Sequence, residues 1–199
     1  WHVRWLKQKI NLRKKNMIFL IVGVTLFFGI HLLPSLSIKV KLVERVGENS
    51  YKLIFSVVSL TGLGSIIYGF KLSEFVPLWD PLPWGRSATY WVMPIAIVLI
   101  CAADVPNNIK RVVRHPMLIA LTLWGATHLA ANGDLASTIL FASFAIYSVL
   151  DITLVEFGGR FKAAEAVSAG WDVGVVAFGV PLTGGLFYFH EYFAGVPLM

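Results

Sequence analysis

The residues with the most chemistry to offer are histidines lying in apolar surroundings. His31 follows Phe27 and Phe28 in a run without charge. His128 has Trp124 four residues before it and Asn132 four after. On a helix that spacing puts all three on one face. Trp124 then offers a flat apolar surface and Asn132 a hydrogen-bond partner. His115 stands in Arg114-His115-Pro116, and His190 precedes Glu191. His2 lies in a basic stretch at the start of the chain and carries no argument.

Imidazole in such settings does one of two things. It bonds a neighbouring helix as interhelical glue, or it ligates a metal. Haem iron accepts one or two histidines, whereas a structural zinc site normally needs four protein ligands. No acidic residue lies within helical reach of His31 or His128 inside the apolar runs. Cys101 is the only cysteine, which excludes a disulfide scaffold and any cysteine-based cluster. It reads as a small packing residue. Haem is therefore the metal group these residues suit, with His31 and His128 as ligands and Trp124 and Asn132 beside them. The pairs His31 with His115, and His128 with His190, pass the same test and stay open. No catalytic residue is identified.

The elements that hold these residues follow from composition. Of 199 residues, 57% are hydrophobic and only 14% charged, against about 25% charged in ordinary soluble domains. A disordered chain is excluded. About 20 apolar residues cross a bilayer core, and six such spans fit. They run from Met17 to about Leu33, Leu53 to Phe70, Ala88 to Ala103, Pro116 to Ala131, Leu135 to Val155 and Val173 to Phe193. The fold class is an all-α, polytopic membrane helix bundle in one domain, residues 17–199. Ser65 and Gly69 on span two form a small-xxx-small pair for close helix packing. Pro116 suits a first helical turn. Asn132-Gly133-Asp134 predicts a tight hairpin between spans four and five, with Gly133 left-handed and Asp134 as N-cap. Pro181, Gly184 and Gly185 interrupt the apolar run of span six and predict a kink or a cavity wall there. The segment 76–91, rich in proline and tryptophan, reads as an interfacial loop.

The net charge of +6 is that of membrane flanks, and there is no compact basic face for nucleic acid. Let side A be the amino-terminal side of span one. Side B then carries Lys39, Lys41, Arg45, Lys52, Lys110, Arg111, Arg114, Arg160 and Lys162. Side A carries Lys71, Arg86 and the six basic residues among positions 1–16. If residues 1–16 are set aside as a non-native extension, with Met17 the natural start, the positive-inside rule puts side B in the cytoplasm. The alternative is a signal peptide, against which stand the long apolar run and the lack of a clean cleavage site. On side B, Asp104, Arg111, Arg114, His115, Asp151, Glu156, Arg160 and Asp172 are candidates for an ionic network, read either as salt bridging or as a site for a headgroup or cofactor phosphate.

Three stretches carry a family resemblance: GVTLFFGIHLLPS (Gly23 to Ser35), RHPMLIALTLWGATHLAANGDLASTILFASF (Arg114 to Phe144) and FHEYFAGVP (Phe189 to Pro197). With the spacing of the spans between them, the sequence resembles the NnrU family of bacterial membrane proteins from about Met17 to Met199. The family is named for an association with nitrite and nitric-oxide metabolism in denitrifying bacteria. It is similar to plant zeta-carotene isomerase, a membrane enzyme containing haem b. The resemblance implies a bacterial inner-membrane protein, haem b, and His31 and His128 as its ligands. A hydrophobic polyene is the implied substrate, isomerised about a cis double bond. In one respect this chain departs from the plant enzyme. That enzyme has a cysteine three residues before the second histidine, and Gly125 stands there here.

Two other classes compete. Arg114-His115-Pro116 before an apolar span also resembles isoprenylcysteine carboxyl methyltransferases, which use S-adenosylmethionine. The segment from Glu156 to Phe161 is a partial echo of their later motifs. The other class is a non-catalytic membrane subunit of a respiratory or denitrification complex.

Overall fold

The computed structural model describes the backbone of residues 2–36, 38–196 and 198, and the side chains of those from Met17 on. The side chains of the basic segment 1–16, and with them His2, lie outside the described residues. So does Pro197, at the end of the third motif.

The helices are α1 (His2–Ser35), α2 (Ile38–Val46), α3 (Glu48–Leu72), α4 (Gly85–Asp104), α5 (Ile109–Val112), α6 (Pro116–Ala131), α7 (Leu135–Phe157), α8 (Gly170–Tyr188) and α9 (His190–Ala194). Five of them contain a segment long and apolar enough to cross a membrane: Met17–Ser35 of α1, then α3, α4, α7 and α8. Helix α6 is apolar but has 16 residues, about 24 Å of rise. It falls short of a full span because Pro116 fixes one end and the 132–134 turn the other. The all-helical membrane bundle is thus as expected, with one short member. Helix α8 continues through Pro181, Gly184 and Gly185 to Tyr188 and is capped at Phe189.

Neighbours run α3, α1, α7, α6, α4, α8, each packed on the next. Two cores result. Leu20, Ile66, Ala136, Leu140 and Phe141 are buried where α1, α3 and α7 meet. Ala96, Leu99 and Ala120 are buried between α4 and α6. Close approach in the first pair rests on glycine. A Cβ on Gly23 would lie 2.6 Å from the Ile66 nitrogen, one on Gly62 2.8 Å from the Phe27 nitrogen, and one on Gly69 would overlap the Leu20 backbone. The outward faces stay apolar: Leu53, Leu60, Ile67, Ile146, Val173 and Phe178 are exposed, as lipid-facing positions are.

Chain order and spatial order differ between α3 and α4. They are not neighbours in the row, so residues 73–84 must travel across the side-A end of α7 and α6. They lie on the 132–134 turn, with Leu78 and Trp79 donating backbone hydrogen bonds to the Gly133 carbonyl, Leu82 to Ala130, and Leu135 to Val76. Asp134 caps α7, accepting from the Ser137 nitrogen at 3.0 Å. Gly133 is not left-handed. It is needed because a Cβ there would overlap the Trp79 carbonyl oxygen. The segment 76–91 is an irregular crossing only as far as Trp84, for α4 begins at Gly85.

On side B, between the first two spans, the chain forms α2. Its Lys39, Lys41 and Arg45 alternate with exposed Ile38, Val40 and Val46, and it packs on α1 and α3. That pattern suits a helix lying in the headgroup layer.

Candidate functional site

His31 sits one turn before the end of α1 and His128 near the end of α6. Neither ring floats. The His31 Nδ1–H donates to the Phe27 carbonyl at 2.6 Å, and the His128 Nδ1–H to the Trp124 carbonyl at 2.8 Å. Each bond goes back one turn on the ring's own helix. Each therefore fixes the tautomer and leaves Nε2 with its lone pair, the state a metal-ligating histidine needs. Among the described residues neither Nε2 has a hydrogen-bond partner.

Both rings lie along one aromatic seam whose middle is α7. His128 packs on Phe141 with centroids 4.7 Å apart and on Trp124 at 5.4 Å. His31 packs on Phe27 at 4.2 Å, on Phe55 at 5.0 Å and on Tyr147 at 6.4 Å. Between the two levels, Phe144 contacts Trp124 at 5.1 Å and Phe27 at 6.0 Å. Tyr147 is six residues beyond Phe141, so the rings differ in depth by about 9 Å along α7. The helices also approach closely here. A Cβ on Gly125 would lie 2.6 Å from the Phe141 carbonyl oxygen. The position that holds cysteine in the plant enzyme is thus spent on packing.

As a test of fit for haem, the donor set suits iron. Two imidazoles with anchored Nδ1 and free Nε2 stand on the two helices that flank α7, in an apolar wall of Phe27, Trp124, Phe141, Phe144 and Tyr147. Phe27, Trp124 and Phe144 fill the layer between them, so a macrocycle held by both histidines has to take the place of those rings.

Asn132 does something other than expected. Its amide donates to the His128 carbonyl at 2.8 Å, satisfying the helix end rather than the imidazole. His190 makes its own bond, Nδ1–H to the Val196 carbonyl at 2.7 Å. His115 stands at the side-B start of α6, where its Nε2–H donates to Glu156 at 2.7 Å, so the nitrogen a metal would need is already engaged.

The side-B residues gather in several groups. Arg114 and His115 share the Glu156 carboxylate, and both pack on Phe161, Arg114 at 4.0 Å and His115 at 5.3 Å. Ser35 donates to Asp151, and Arg160 to the Pro34, Ser35 and Leu154 carbonyls. Asp172 accepts from the Asn108 nitrogen and amide, both at 2.7 Å. The sequence reading missed Asn107 and Asn108. Asn107 is fully buried and its amide ties the end of α4 at the Ala102 and Val105 carbonyls. Adjacent asparagines after Pro106 were the available signal for that turn.

Fold and seam together define a polytopic, all-helical membrane protein with two anchored histidines facing one helix. The family model described as NnrU protein matches residues 19–198, and the chain belongs to the NnrU family. No curated protein and no solved structure matches it.

Proposed function

We propose that this chain is a haem-binding protein of the bacterial inner membrane, with His31 and His128 as iron ligands. One observation carries the reading. Both histidines are held in the same way, Nδ1–H on the carbonyl four residues back, with Nε2 left over, on the two helices that flank α7. The ligand identity also follows the family resemblance. Bound haem would supply redox and ligand-exchange chemistry at iron. The protein's part would be to fix the imidazoles through the Phe27 and Trp124 carbonyls and to exclude water with the rings outside that layer, Phe55, Phe141 and Tyr147. The substrate class that suits such a seam is a hydrophobic polyene, and cis–trans isomerisation needs no net gain or loss of atoms or electrons.

The test is an absorption spectrum of detergent-purified protein from haem-replete cells, oxidised and dithionite-reduced, with a pyridine haemochrome assay. One haem b per chain is expected, with altered bands in His31→Ala and in His128→Ala. No Soret band, or a spectrum unchanged in both variants, overturns the reading.

A second reading has its own observation. Arg114-His115 and the segment 156–161 are brought together at Glu156 and Phe161, as the methyltransferase resemblance requires. Thermal stabilisation by S-adenosylmethionine would support it, and no shift at saturating ligand would remove it.

A further inference from the structure

On side B, outside the histidine seam, Lys110, Arg111 and Arg114 line one cavity of about 380 Å³ together with Phe161, Ala163 and Ala164. The lining holds three cations and no carboxylate. Arg114 is set in place before any ligand arrives, with Glu156 on one edge at 3.3 Å and the Phe161 ring against its plane. Lys110 gives one hydrogen to the Ala103 carbonyl at 3.2 Å and keeps its others. The Arg111 guanidinium bonds no described residue. Two guanidinium groups and an ammonium around a shallow cavity are a donor set for a phosphate, which Arg binds through two oxygens at once.

The neighbourhood says what the phosphate is attached to. Val112, between Arg111 and Arg114, is 86% exposed, and Phe157, next to Glu156, is 90% exposed. Large apolar side chains left open at the ends of membrane helices face hydrocarbon, not water. We infer that this cavity is a binding site for the phosphate of an anionic phospholipid, whose chains lie along Val112 and Phe157. It goes beyond the haem reading and does not depend on it. Basic pockets between helices at the positive face of a membrane protein are where such headgroups bind.

The test reconstitutes the full chain in nanodiscs of phosphatidylcholine, with and without phosphatidylglycerol, and reads lipid retention by native mass spectrometry alongside thermal unfolding. The wild type should retain and be stabilised by phosphatidylglycerol. Lys110→Gln/Arg111→Gln should unfold like wild type in phosphatidylcholine yet bind phosphatidylglycerol roughly 30-fold more weakly. Lys39→Gln/Lys41→Gln removes the same charge from α2 and should leave binding intact. Equal loss in both double variants would mean a diffuse positive surface and overturn the site. Stabilisation by inorganic phosphate alone that matches phosphatidylglycerol would overturn the lipid assignment. So would stabilisation by S-adenosylmethionine that disappears with Lys110 and Arg111.

Discussion

A single glycine shows how finely the histidine seam is built. Gly125 faces the Phe141 carbonyl, and an added methyl would lie 2.6 Å from that oxygen and 3.0 Å from the Ala145 side chain. Backbone cannot yield as a flexible side chain does. Gly125→Ala should therefore push α6 away from α7 and cost about 1–3 kcal/mol, read as a lower midpoint of thermal unfolding in detergent. Because His128 rides on α6, the same variant should also broaden or shift any haem bands. Gly159 is the control, since it takes φ +61° in open space. Gly159→Ala should cost about 1 kcal/mol and leave the spectrum alone. At this scale the sequence was informative about type and poor about partner. The pairing of Trp124 with His128 was legible from helical spacing. The role of Asn132 was not, because a side chain four residues on can reach either the ring or the backbone carbonyl, and the unsatisfied carbonyls of a helix end attract it.

Among elements, α1 and α3 form the tightest pair, and small residues explain it. Ser65 and Gly69 were visible as a packing motif, but the glycines that meet backbone are Gly62 and Gly69 on α3 and Gly23 on α1. Spacing on one helix cannot name the partner helix. Gly69→Leu should separate α1 from α3, lowering the monodisperse yield in size-exclusion chromatography, while Gly64→Leu, where nothing lies within 4 Å, should behave as wild type. The helix α2 was missed for a related reason. Nine residues with alternating charge have no hydropathy peak, and only the placement of α1 and α3 shows that the segment must lie across their ends. The contact of Glu156 with His115 and Arg114 joins α7 to the start of α6. It is about one-third exposed, so Glu156→Gln should cost about 1 kcal/mol or less, measured by the same unfolding experiment.

For the whole molecule, the six helices form a row with α7 and α6 at its middle, and α3 and α4, like α7 and α8, are chain neighbours set apart in it. Hydropathy located the helices well because a bilayer demands continuous apolar runs. It could not give the order of the row, which depends on which glycines meet which backbones. The charge distribution makes one global prediction. With side B in the cytoplasm, a membrane-impermeant maleimide should label Asp80→Cys in intact cells and spare Lys41→Cys, both in a Cys101→Ala background. The reverse pattern would invert the topology.

Residues 73–84 also set a timing problem. They leave the ribosome before the turn at 130–135 on which they rest, and translation at about 5–20 residues per second leaves them waiting roughly 3–10 seconds. For that interval α3 has no fixed route to α4, and the backbone groups of Val76, Leu78 and Trp79 face the membrane surface. A ribosome stalled before Gly133 would hold a chain in which α1 and α3 can already pair but α4 has no fixed place beside them. The two halves of the row, α3 with α1 and α4 with α6, are thus joined only when α7 follows the turn.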